Sequence, residues 1–128
     1  MTIRIVRLGS GRFPGEGLRI GTVRRPPRGV RKSDYATKNF YDVWLPTLAP
    51  SAATVKFAQR AQSAREWAQF RKKYRAEMAK PDSRAALDLL AALSHSSNFS
   101  VGCYCADEAH CHRSVLRELL RGRGAKLK

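Results

Sequence analysis

The strongest constraint on the fold lies in the middle of the chain, where two helical stripes follow one another with no room for a strand between them. Ser63-Ala-Arg-Glu66 has the spacing of a capping box, in which the serine hydroxyl and the glutamate carboxylate each satisfy a backbone N–H at a helix start. Trp67, Phe70, Tyr74 and Met78 follow at steps of three, four and four, which makes one apolar stripe facing a core. Pro81 stops that helix, Asp82 or Ser83 caps the next, and Ala86, Leu87, Leu90 and Leu93 keep helical spacing within it. Arg71, Lys72, Lys73 and Arg75 occupy the other faces of the first helix and read as a solvated surface. Upstream, Pro50-Ser51 opens a further helix that runs to about Gln62.

Strands flank this helical block. Residues 3–8 (IRIVRL) form a short one, ended by Gly9-Ser10-Gly11. A second covers Leu18 to Val23, before Pro26-Pro27 forbids a ladder, and residues 26–39 are loop. Tyr41, Val43, Trp44, Leu45 and Leu48 make an apolar patch around Pro46, with Trp44 expected to pack in a core. Phe99, Val101, Cys103 and Cys105 alternate on one face of a third strand. The last helix buries Val115, Leu116, Leu119 and Leu120 and stops at Gly122. This order predicts an α/β (or α+β) fold, a small and mainly parallel sheet with helices packed on it. At 128 residues the chain has the length of one compact domain, read as 1–121 with a basic tail at 122–128.

The formal charge of +15 is unevenly spread. Residues 1–38 hold ten Lys/Arg against two acids, residues 39–111 nine against seven, and residues 112–128 six against one. A clustered surplus attracts phosphate-bearing partners, so nucleic acid and anionic small molecules are both admitted as partners. No apolar run reaches the roughly 20 residues of a spanning helix, and the N-terminus lacks the apolar region of a signal peptide. These features predict a soluble, cytoplasmic protein with no membrane partner.

The polar chemistry concentrates where the third strand meets the last helix, Cys103-Tyr-Cys105-Ala-Asp-Glu-Ala-His110-Cys111-His112-Arg113-Ser114. In open α/β sheets ligands bind beyond the carboxyl ends of strands, where a helix N-terminus offers unpaired N–H groups. With the helix starting between Asp107 and His110, Cys111 lies in its first turns beside His112 and Arg113, surroundings that favour a thiolate. If the first two strands run parallel to the third, Arg7 and Arg24 complete an anion pocket. Tyr104, on the side of the strand away from Cys103 and Cys105, either lines that pocket or packs under a helix.

The combination of Phe40-Tyr-Asp-Val-Trp-Leu-Pro-Thr-Leu-Ala-Pro-Ser51, Trp67-Ala-Gln-Phe70 with Tyr74, and Cys103-Tyr-Cys105 followed by Asp107-Glu108 and Cys111-His-Arg-Ser114 resembles the domain-of-unknown-function 488 family. The resemblance spans about Ile3 to Leu120 and implies a compact α/β domain. That family is named for having no assigned activity, so it carries no catalytic assignment to these residues.

Four readings of the junction follow from the residues. In the first, Cys111 is a nucleophile or redox centre, with His112, His110, Asp107 or Glu108 as acid or base. Arg113 and Ser114 then hold an anionic, nucleotide-like or other phosphate-bearing group. In the second, Cys103, Cys105, Cys111 and His112 surround a metal such as zinc. A third rests on His110-Cys111 followed at a distance by Arg117, the phosphatase pattern, but Val115 and Leu116 belong to a buried stripe and cannot loop around a phosphate. In the fourth, the cysteines are small core residues and the basic ends act alone, as a nucleic-acid-binding or partner-binding module. An odd count of three cysteines argues for reduced thiols, with a reversible Cys105–Cys111 bond allowed.

Overall fold

The computed structural model describes residues 1–128. Four strands, β1 (Ile3–Arg7), β2 (Leu18–Gly21), β3 (Val43–Trp44) and β4 (Phe99–Cys103), form one sheet in the order β1-β4-β2-β3. Four helices accompany it: α1 (Ala52–Arg60), α2 (Ala64–Met78), α3 (Pro81–Leu93) and α4 (His112–Gly122). Every strand pair is parallel, so the fold is α/β and all strands end on the same side.

The last strand in sequence is central in space. β4 lies between β1 and β2, and all five of its residues are buried, as a strand covered on both faces must be. Phe99 and Val101 face the helices, in one core with Ile3, Tyr74, Met78, Leu87, Leu90, Val115, Leu116 and Leu120. The predicted stripe on α2 joins this core through Tyr74 and Met78, with Phe70 buried and Trp67 only half-buried, so Trp67 is not the core residue expected; the capping box forms with Ser63 and Glu66 in their expected roles. Glu77, also on α2, accepts from Ser51 N, Ser51 Oγ and Thr54 Oγ1, which anchors the start of α1.

Several local expectations shift. Pro81 begins α3 at its first turn, where its missing N–H costs nothing, and Ser83 bonds Thr47 O instead of capping the helix. Leu93 is exposed and Ala91 takes the buried position. Trp44 is 42% exposed on the edge strand β3, its indole N–H donating to Val23 O at 2.7 Å, so it is not a core residue. Strand β4 ends at Cys103, which leaves Cys105 in the following loop. At the other end of the chain Ile3 N donates to Lys126 O, Lys128 N donates to Ile3 O, and Leu127 packs against the main core.

The face of the sheet away from the helices is held by a buried ion pair. Arg19, wholly buried, donates Nε to Glu16 Oε2 at 2.8 Å and Nη2 to Glu16 Oε1 at 3.0 Å. Its remaining donors reach the carbonyls of Ser10, Gly11 and Asn39, while Ser100 Oγ on β4 donates to Glu16 Oε2 at 2.6 Å. One guanidinium thus ties the loop after β1, strand β2, strand β4 and the segment before β3. Gly21 lets the Tyr41 ring lie flat on β2 beside it, since a Cβ there would overlap the ring.

Burial by itself would raise the Glu16 carboxyl, but hydrogen bonds from Arg19, Ser100 and Phe13 N–H outweigh it and hold the pKa down to about 2 from 4.5. A depressed carboxyl adds stability above its unfolded pKa and loses it as the pH falls through the folded one. Unfolding in urea should therefore show stability declining between about pH 4.5 and pH 2. Glu16→Gln should cost about 3 kcal/mol at pH 7 and flatten that decline.

Candidate functional site

Because the sheet is parallel, the loops after β1, β2 and β4 meet at its carboxyl end, opposite the start of α4. Cys103, the last residue of β4, pairs in register with Arg7, the last of β1. The chain then makes a short turn over Glu108–His110 and enters α4 with Cys111 as N-cap, one residue ahead of His112. The helix starts later than expected, and Cys111 stands at its threshold.

Cys103 Sγ and Cys111 Sγ lie 2.6 Å apart, both buried, and Cys105 N donates to Cys103 Sγ at 3.4 Å. Cys105 is the exposed member of the three. Crowded thiols share hydrogen bonds and cannot all ionise. Hydrogen bonds from Cys103 and then Cys111 pull the Cys105 thiol far down, with His112 and Arg113 adding positive charge. Cys103 is pushed far up by its bonds to Cys105 and Cys111 and by burial. A hydrogen bond from Cys103 lowers Cys111, but the bond it gives to Cys105 and its burial prevail, and its pKa rises to about 11. The surroundings thus lower the thiol of the exposed Cys105 and raise those of the buried Cys103 and Cys111.

His112 is buried, and burial drives its pKa down to about 4 against the opposing pull of Thr22. Its Nε2 sits 2.8 Å from Thr22 O and 3.2 Å from Thr22 Oγ1, whose own hydroxyl donates to Gly102 O. A neutral ring that donates from Nε2 has its lone pair on Nδ1, and Nδ1 faces Cys111 Sγ at 3.7 Å. The Tyr74 ring meets the imidazole edge-on, 5.2 Å away. Arg113, 4% exposed, donates Nη2 to Cys105 O at 2.6 Å and keeps its Nε buried without a partner.

The other predicted residues divide into those on the cavity and those that brace it. A cavity of about 890 Å³ opens beside the sulfurs and is lined by all three cysteines, His110, His112, Tyr104 and Arg24. His110 Nδ1 pairs with Asp107 Oδ2 at 3.1 Å, and its ring stacks on Trp67. Arg24 spends its donors on the carbonyls of Pro46, Ala49 and Pro50, which fixes the turn before α1. Tyr104 OH donates to Arg25 O at 2.8 Å, and Arg7 Nε donates to Tyr104 O, so Arg7 braces the loop from outside the cavity. Ser114 Oγ caps its own turn on Cys111 O. Arg117 grips both oxygens of Glu108 at 2.8 and 2.9 Å and lowers its pKa, so Glu108 stands as a paired carboxylate. The same pair occupies the arginine of the phosphatase pattern.

Sequence reasoning missed the opposite walls. Arg25 and Arg28 come from the loop after β2, Lys56 and Gln59 from α1, Trp67 and Phe70 from α2, and Phe40 from the segment before β3. The Arg-Arg-Pro-Pro-Arg run at 24–28 was the one available signal, since a basic loop after a parallel strand must lie at the ligand-binding end of the sheet.

The family model of the active DUF488-N3 subclade, DUF488-N3a, matches residues 3–124. The chain belongs to the DUF488 family. The match takes in every strand and helix described above, along with the whole Cys103–Ser114 junction. No curated protein and no solved structure matches the chain. No helix in this DUF488 member is long and apolar enough to cross a membrane.

Alkylation by iodoacetamide, read by mass spectrometry, should label Cys105 first and at pH values well below the roughly 8.5 of a free thiol. Cys103 and Cys111 should react only once the chain is unfolded. Labelling of Cys111 ahead of Cys105 would overturn the thiolate assignment.

Proposed function

We propose that this DUF488 member binds an anionic, phosphate-bearing ligand in the cavity at the strand-to-helix junction and presents the Cys105 thiolate to it, as a thiol-dependent enzyme. The observation that carries this reading is one exposed cysteine, Cys105, lining a cavity whose walls also hold Arg25, Arg28 and Lys56. The family description, an active subclade, agrees with it.

Each residue then has a role. Cys105 is the nucleophile, and attack forms a sulfur–ligand bond as a leaving group departs with a proton from His110, which Asp107 orients. Cys103 and Cys111 stabilise the thiolate by hydrogen bonding, so Cys111 supports the nucleophile instead of serving as one. Arg113 adds buried positive charge behind the sulfurs, and its unpartnered Nε is a donor held in reserve at the cluster. Arg25, Arg28 and Lys56 anchor the anion, while Arg7, Arg24 and Ser114 position the loops that carry the site.

Inorganic phosphate should slow iodoacetamide labelling of Cys105 in the full chain, and added salt should weaken that protection. Arg25→Glu with Arg28→Glu should raise the phosphate concentration needed by about ten-fold or more. Protection that survives the charge reversal unchanged would sink the anionic-ligand reading.

The His112 geometry favours a second reading. Cys103 Sγ, Cys111 Sγ and a ring nitrogen of His112 lie within 4.8 Å of one another. A histidine that donates one ring N–H to a backbone carbonyl and turns the other nitrogen on thiols is oriented as a ligand of a soft metal such as zinc or copper(I), with Cys105 as a fourth donor. Chain purified without chelator should then carry close to one metal ion, lost in His112→Ala. Metal-free protein whose stability does not respond to added zinc would exclude this reading.

A further inference from the structure

We infer that the ligand is a nucleotide: its phosphate lies toward Arg25, Arg28 and Lys56, and its base against the aromatic wall of the same cavity. This rests on the anionic-ligand reading above and narrows it to a substrate class. Three observations carry it.

The first is size. A cavity of about 890 Å³ sits at the upper end of the range for small-molecule sites, and a phosphate group, a few water volumes of about 30 Å³ each, fills little of it. The second is the lining. Eleven of the 21 residues around the cavity are hydrophobic, among them Val23, Phe40, Val55, Trp67 and Phe70, so a purely ionic ligand would leave most of the wall facing water. The occupant must carry an apolar part as large as its charged one.

The third observation identifies that part as flat. Aromatic rings reach the cavity from three separate segments: Phe40 before β3, Trp67 and Phe70 on α2, and Tyr104 after β4. Trp67 already holds a planar nitrogen heterocycle at stacking distance, the His110 imidazole, with centroids 4.6 Å apart and planes 15° from parallel. Phe70 meets the Trp67 ring edge-on at 5.8 Å and Tyr104 meets Phe40 at 6.2 Å, so the rings brace one another at fixed angles. A nucleobase takes the same kind of contact on this wall, beside the imidazole. On α1, Lys56 and Gln59 are three residues apart and both line the cavity, which sets a charge for phosphate beside an amide whose donor and acceptor suit the edge of a base.

The test uses the full chain with Trp44→Phe, which removes the one other tryptophan and leaves Trp67 as the reporter. Adenosine monophosphate, ribose 5-phosphate, hexyl phosphate and inorganic phosphate are titrated, read by Trp67 fluorescence and by protection of Cys105 from iodoacetamide. Adenosine monophosphate should quench Trp67 and bind about ten-fold more tightly than ribose 5-phosphate. Trp67→Leu, read by protection, should abolish that preference and leave ribose 5-phosphate binding unchanged. A short adenylate oligonucleotide that binds more tightly still, and through Trp67, supports the proposal with a single strand as the source of the nucleotide. Equal binding of ribose 5-phosphate and adenosine monophosphate overturns it and leaves the anionic reading standing. Hexyl phosphate binding as tightly as the nucleotide overturns it too, because the wall then reads bulk and not a flat ring. Failure of all four phosphates to protect Cys105 removes both readings together.

Discussion

The buried Arg19 guanidinium is the constraint on which the other parts depend. Helices cover one face of the sheet, while the second face is covered only by loops, whose backbone groups need partners once they are buried. Arg19 supplies them. It accepts no compromise in geometry, because its planar donors are divided between the Glu16 carboxylate and three backbone carbonyls from two loops. With Ser100 also on Glu16, the ion pair locks β2 to β4, and β4 is the strand that delivers Cys103.

From that base the site is assembled by convergence. A parallel sheet puts the ends of β1, β2 and β4 together, and each contributes a different kind of group. Strand β4 and its loop bring the sulfurs, the loop after β2 brings arginines and Thr22, and the loop after β1 is stitched to Tyr104 by Arg7. Thr22 has a part out of proportion to its size: bonded to Gly102 across the sheet, it settles which nitrogen of His112 faces the thiols. Acidity is then distributed by depth. Burial and shared hydrogen bonds push the thiols of Cys103 and Cys111 up, while that of the exposed Cys105 is pulled down.

Much of the secondary structure was legible because it depends on neighbours in sequence. The Ser63–Glu66 box and the buried Phe70, Tyr74 and Met78 are patterns of one helix and appear where periodicity places them, while Trp67 at the head of the same stripe lines the cavity. Pro81 was misjudged because a proline marks a boundary without saying on which side the helix lies. Trp44 was misjudged because an aromatic residue beside a proline looks alike in a core and on an edge strand with its indole N–H satisfied. The cysteine–histidine junction was visible as a concentration of chemistry, but the surroundings of each thiol were not, because nearness to His112 and Arg113 along the chain leaves out burial and the positions of the other sulfurs.

What the amino-acid sequence determined by itself was the α/β order of elements, the helical stripes, and the location of the reactive groups between β4 and α4. These follow from local periodicity and from residue types a few positions apart. Only the tertiary structure decided that β4 enters the middle of the sheet, that Arg19 and Glu16 close its second face, and that Cys105 is the one exposed cysteine beside two buried ones. It alone gathered Arg25, Arg28, Lys56 and Trp67, drawn from three elements, around one cavity. The physical reason is range: periodicity is set by contacts within a turn or two of the chain. Burial, pairing and ionisation are set by whichever groups the sheet brings together from far apart in it.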